Sequence, residues 1–88
     1  MLATGEFPSE EDVEATVYVA FAKSLDIRRF SRDDDFFQLG GTSRSAALLL
    51  ADLETRFEIE IHPSELEANP TPNRLAKRLR AMLGRTLE

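Results

Sequence analysis

Residues 40–57 read GGTSRSAALLLADLETRF, and this stretch decides the fold. At 3.6 residues per turn, each step along a helix rotates by roughly 100°. With Ala46 as the zero, Leu49, Leu50, Leu53 and Phe57 all fall within about 60° of it, which is the apolar stripe of an amphipathic helix. The spacing predicts a helix from about Ser43 to Phe57 with that stripe in a core. The opposite face collects Arg44, Ala47, Leu48, Ala51 and Thr55.

Upstream, Ser9 followed by Glu10, Glu11 and Asp12 has the form of a helix start, a hydroxyl cap and then acids in the first turn. Val13, Val17, Ala20 and Phe21 recur at helical spacing up to about Leu25. A long connection from Asp26 to Thr42 then carries Ile27, Phe30, Phe36, Phe37 and Leu39. Connections longer than about 12 residues are uncommon in compact domains. Its apolar residues predict that it packs on the core, with at least one of Phe36 and Phe37 as the anchor.

Downstream, Glu58-Ile59-Glu60-Ile61-His62 alternates like a strand but has no partner strand. It is expected to be an extended loop with Ile59 or Ile61 turned inward. Pro63 to Glu67 predicts a short helix, which Asn69-Pro70 breaks. Thr71-Pro72 restarts the chain as a cap followed by proline at the first helical position. Leu75, Ala76, Leu79, Met82 and Leu83 form the last helix's apolar face, with Arg80 and Arg85 near its C-terminal end. The expected fold is all-α, an antiparallel bundle of three main helices plus one short helix, with a long loop between the first two. Residues 1–8 are expected to form a flexible leader, 9–84 the domain and 85–88 a flexible tail.

Composition narrows the function. Eighty-eight residues, 42% of them hydrophobic, suit one small folded domain. No run approaches the roughly 18 to 20 apolar residues that cross a bilayer, and no secretory signal opens the chain. A cytoplasmic, monomeric protein without a membrane partner is expected. Cysteine is absent, which excludes disulfides and thiolate chemistry, and the single His62 cannot build an imidazole metal cluster. Sixteen acids against eleven bases give a net charge of −5, which argues against nucleic acid.

The candidate site is Gly40-Gly41-Thr42-Ser43. Glycine lets the chain turn sharply into the helix and leaves room for a large partner to approach Ser43. The hydroxyl lies beside unsatisfied N–H groups at the positive end of a helix dipole, where a phosphate ester is electrostatically favoured. Local physics alone favours a plainer reading, in which Thr42-Ser43 is a helix cap after a loop. Ser45 is the competing hydroxyl, about 200° around the helix from Ser43.

Other chemistries fail on spacing. A calcium loop starting at Asp33 would have Phe37 fifth, Gln38 sixth and Arg44 twelfth, where it needs a ligand, Gly and Glu. The three aspartates are expected to form a solvated turn, and no metal site is assigned. A hydrolytic triad lacks partners for Ser43, the nucleophile-elbow pattern fails, and no phosphate-loop lysine follows the glycines. His62 is expected in a surface or turn role. No catalytic residue is assigned.

The stretch Asp33-Asp34-Asp35-Phe36-Phe37-Gln38-Leu39-Gly40-Gly41-Thr42-Ser43 closely resembles the attachment signature of the phosphopantetheine-bearing carrier proteins of nonribosomal peptide and polyketide assembly. Leu53 and Phe57, Asn69-Pro70-Thr71, Leu75-Ala76 and the opening Pro8-Ser9-Glu10-Glu11 extend the likeness over about residues 8 to 83. The resemblance implies an acyl-carrier-protein-like bundle. It implies 4'-phosphopantetheine on Ser43, flanked by Gly41 and Thr42, with the arm's thiol carrying acyl or aminoacyl thioesters. A phosphopantetheinyl transferase, an adenylating or acyl-transferring loading enzyme and downstream condensing or tailoring enzymes are the implied partners. Thr42 departs from the Asp or His often found there, and Arg44 from an apolar residue, commonly Leu. Gly-Gly, in place of the Gly-Ala common in fatty-acid carriers, points towards the peptidyl type.

Leu48, flanked by Ala47 and Ala51 and joined by Arg44, would make a shallow docking patch beside the serine. A single exposed leucine is also ordinary. Two readings stay beside the peptidyl carrier: an acyl carrier of a polyketide or fatty-acid pathway, and an unmodified helical adaptor using the Leu48 face.

Overall fold

The computed structural model describes residues 10–86. Four helices follow in order: α1 Glu10–Leu25, α2 Ser43–Phe57, α3 Pro63–Ala68 and α4 Pro72–Thr86. There is no strand among the described residues. α1 packs on both α2 and α4, and the short α3 bridges α2 and α4. Residues 1–9, including the expected cap Ser9 and the expected leader, lie outside the described residues, as do 87 and 88. α4 continues through Arg85 and Thr86, two residues into the stretch expected to be tail.

The stripes meet as their spacing predicts. Val13, Val17 and Phe21 of α1 are fully buried against Leu49 and Leu53 of α2 and Leu75 and Leu79 of α4. Ala46 and Phe57, at the ends of the α2 stripe, are half-buried at the core's edge. Thr71 caps α4, its hydroxyl accepting from the Arg74 N–H at 3.1 Å, with Pro72 buried at the first position. Between α2 and α3, Glu58 leaves the helix in the left-handed region, φ 56°. Ile61 is the isoleucine turned inward, and its N–H donates to the Glu54 carboxylate at 2.8 Å.

The connection 26–42 is a packed structure. Phe30 stacks on Tyr18, 4.3 Å between ring centres, while the Tyr18 hydroxyl donates to the Phe30 carbonyl at 2.6 Å. Phe36 is fully buried and meets Phe21 edge-on at 5.4 Å. Its N–H donates to the Pro70 carbonyl, and the Asn73 N–H donates to that of Arg32, so the loop is hydrogen-bonded to the α3–α4 corner. Glu14 receives Arg32 at 3.2 Å and Arg80 at 3.3 Å. Part-exposed ion pairs contribute about 0–1 kcal/mol each. Burying one phenylalanine contributes about 1.5–3 kcal/mol, so the aromatics hold the loop and the charges orient it.

Arg78 makes two hydrogen bonds to Glu65, at 2.8 and 3.0 Å, across the α3–α4 corner. Those bonds, and then the carboxylate's charge, raise the Arg78 pKa above its ordinary value.

Candidate functional site

The site is built from the buried ring of Phe36 outward. Asp35 turns the backbone there, its carboxylate accepting from the N–H groups of Phe37 at 2.8 Å and Gln38 at 3.2 Å. The neighbouring aspartates serve the same loop. Asp34 accepts from the Ser31 N–H, and Asp33 from the Asn73 amide. A tight turn over 36–40 follows, closed by the Gly41 N–H on the Phe36 carbonyl at 2.9 Å.

The two glycines answer different needs. Gly40 takes φ 104°, a backbone angle that L side chains resist. At Gly41 the constraint is space, since a Cβ there would fall inside the Phe36 ring and against its carbonyl oxygen. The second glycine thus lets the chain lie directly on the buried aromatic before it enters α2.

Thr42 is the N-cap of α2, in extended conformation. Its hydroxyl accepts from the Ser45 N–H at 3.2 Å, and the Ser45 hydroxyl reaches back to the Thr42 N–H at 2.8 Å. This reciprocal pair is a capping box, with serine where glutamate or glutamine is usual. The expected cap is therefore Thr42, and Ser45, the competing hydroxyl, is its partner. Ser43 occupies the first helical position and is exposed. Neither its hydroxyl nor the N–H groups of Ser43 and Arg44 have a hydrogen-bond partner among the described residues.

Three hydroxyls thus stand within four residues, two bonded to each other and one free. The free one is exposed at the positive end of a helix of about four turns, where unsatisfied N–H groups favour a phosphate. A phosphate ester on Ser43 fits that environment without breaking any existing bond.

Arg44, Ala47, Leu48 and Ala51 all lie exposed along α2 below Ser43, and Leu48 is 59% exposed. Leu48 lines a shallow cleft of about 240 Å³ with Ala20, Lys23 and Ser24 of α1 and with Asp52. The α1 side of this surface was not evident from sequence, because Lys23 reads as an ordinary charged residue in a last turn. His62, in its turn, caps α3: its Nδ1 accepts from the Ser64 N–H at 3.1 Å. Histidine is not a usual cap, so residue type gave no signal. No described helix is long and apolar enough to cross a membrane.

Comparison with known proteins gives consistent matches. A family profile described as "Phosphopantetheine attachment site" matches residues 15–79. A probable nonribosomal peptide synthetase, CymA of Salinispora arenicola, is 39% identical over 72 residues, covering 82% of this chain. The match spans 1% of that relative's length. The solved A-PCP of McyG, complexed with phenylalanyl-adenylate, superposes with TM-score 0.74 at 28% identity, over 86% of this chain and 12% of that one. A solved non-ribosomal PCP domain superposes with TM-score 0.67 at 28% identity, over 82% of this chain and 90% of its own. The fold, the loop signature and these matches together make this chain a member of the phosphopantetheine attachment-site family, whose members carry covalently attached 4'-phosphopantetheine.

Proposed function

We propose that the chain is a peptidyl-type carrier in nonribosomal peptide assembly, bearing its arm on Ser43 and catalysing no reaction itself. The single observation behind this reading is the contrast between hydroxyls. Thr42 and Ser45 are bonded into the cap, whereas Ser43 is exposed and unbonded at the helix start. Gly41 and Thr42 flank it, the first by lying on Phe36 and the second by fixing where α2 begins.

Attachment requires a partner transferase. The Ser43 oxygen displaces the leaving 3',5'-bisphosphate nucleotide from the pantetheine phosphate of coenzyme A, and the serine proton passes to a base on the transferase. When bound, the arm supplies a thiol that holds aminoacyl or acyl groups as thioesters. This chain's residues anchor and present that arm: rigid placement keeps the tethered group at high effective concentration beside successive enzymes. Arg44, Ala47, Leu48 and Ala51 form the surface on which the transferase, an adenylating loading enzyme and condensing or tailoring enzymes dock. Such work suits a monomer in the cytoplasm.

The test is intact-mass analysis after incubation with coenzyme A and a promiscuous transferase. One phosphopantetheine is expected on wild type and none on Ser43→Ala. An unmodified wild-type chain would instead support a helical adaptor built on the Leu48 face. Loading by an acyltransferase, with no adenylating enzyme able to charge the chain, would move it to the acyl-carrier class.

A further inference from the structure

Imidazole is the side chain that changes charge between about pH 5 and 8, and His62 is the single histidine of the chain. It stands where α3 begins. Its Nδ1 accepts from the Ser64 N–H at 3.1 Å and lies 2.9 Å from the Ser64 hydroxyl. Only a nitrogen with a free lone pair accepts from an N–H, so this bond requires the neutral ring with its proton on Nε2. A second proton goes to Nδ1 itself. The imidazolium then offers the backbone no acceptor, and it sets positive charge against the positive end of a helix. The cap bond therefore exists in one charge state only.

The rest of α3 is held by contacts that do not use the ring. Leu66 is buried, Glu65 makes two hydrogen bonds to Arg78 of α4, and the Asn69 N–H and side-chain amide both donate to the Glu65 carbonyl. The His62 carbonyl accepts from the Glu65 N–H at 2.9 Å whatever the ring's charge. What the proton removes is the acceptor of the Ser64 N–H.

The charged ring has a place to go. His62 lines a cleft of about 670 Å³ with Glu54 of α2, Glu60 of the connection and Glu65 of α3, and α4 contributes the uncharged Met82. Glu54 already accepts from the Ile61 N–H, and Glu65 is paired with Arg78, the one cation bonded at this cleft among the described residues. Glu60, two residues before His62, is exposed and accepts no hydrogen bond among the described residues. Two opposed effects thus act on one ring: the cap and the helix dipole favour its neutral form, and the carboxylates favour its charged form.

We propose that His62 is a proton-operated cap. The neutral ring closes the first turn of α3, whereas the imidazolium leaves the Ser64 N–H and pairs with Glu60 in the cleft, opening that turn while the second half of the helix stays in place. The proton comes from solvent, and no covalent bond changes. The device is independent of the carrier reading, since it requires no arm on Ser43.

The experiment follows the full chain by NMR from pH 8 to pH 5, recording the His62 ring carbons, the backbone amides and their exchange with solvent, each rate divided by the intrinsic rate at that pH. The Ser64 amide shift is expected to move with the same midpoint as the ring, and its protection to fall about five- to tenfold at the acid end, the usual worth of a cap. The Asn69 amide should keep its protection throughout. His62→Asn supplies an acceptor that does not titrate, so Ser64 should stay protected at both ends of the range. His62→Ala should leave it poorly protected at both. Glu60→Gln removes the carboxylate that receives the imidazolium and should move the midpoint to lower pH. A Ser64 amide that does not follow the ring, a step that survives in His62→Asn, a midpoint unmoved in Glu60→Gln, or an equal loss of protection at Asn69 overturns the proposal.

Discussion

The Phe36 ring occupies the space that a side chain on Gly41 would need. Because that ring is fully buried against Phe21, it cannot move aside without opening the core. Gly41→Ala is therefore expected to destabilise the fold by about 1–3 kcal/mol, the usual cost of overpacking. Urea unfolding measures it. Gly40→Ala meets no atom but must hold φ 104°, and should cost about 1–2 kcal/mol. The larger discrimination is kinetic. Displacing Phe36 shifts the start of α2, so Gly41→Ala should slow phosphopantetheine transfer more than its stability loss explains.

Ser43 and Ser45 should separate function from stability. Ser45→Ala removes half of the capping box and is expected to cost about 0.5–2 kcal/mol while leaving the arm attached. Ser43→Ala removes an exposed hydroxyl with no partner, so stability should stay within about 0.5 kcal/mol of wild type while attachment is lost. Thermal melts and intact mass, run on both variants, give the two-by-two comparison. Attachment on Ser43→Ala that vanishes in Ser45→Ala would reverse the assignment.

What was legible in the sequence follows from what repeats or has strong local preferences. The 3.6-residue recurrence of Ala46, Leu49, Leu50, Leu53 and Phe57 is a property of one segment, so it places α2 without knowledge of its neighbours. Thr71-Pro72 likewise announces α4, because cap and first-turn preferences are local. The reason for Gly41 is not local, since it depends on where a ring five residues earlier is driven by a core made of other helices. Ser45 and His62 were missed as capping groups for another reason. Each does a job more often given to another residue type. The docking cleft needed α1 beside α2, which only the packed bundle supplies.

Tyr18 tests whether the long loop is held by its hydrogen bond or by its rings. The Tyr18 hydroxyl donates to Phe30, and the two rings stack. Tyr18→Phe keeps the stack and should cost only about 0.5–1.5 kcal/mol. Phe36→Ala removes the buried anchor and should cost about 3–5 kcal/mol. Hydrogen exchange across residues 26–42 would show the difference as modest loosening in the first variant and broad loss of protection in the second. Equal effects would mean that the ring contacts contribute little.

Leu48→Glu isolates the exposed face of α2 from the fold. Leu48 is 59% exposed, so replacing it removes little buried area and melting should be unchanged. The substitution places a carboxylate where an apolar side chain of a partner would otherwise be desolvated. Desolvating that carboxylate against an apolar partner surface costs several kcal/mol, of which nearby Arg44 and Lys23 offset only part, so loading should fall by about a hundredfold. Adding salt should recover little of the loss, because a buried mismatch is screened far less than a rim charge. An exposed charge such as that of Arg44 is screened by salt, so Arg44→Glu measured beside Leu48→Glu tells an electrostatic contact from an apolar one. Modification and loading rates within error of wild type would mean that this face of α2 is not an interface.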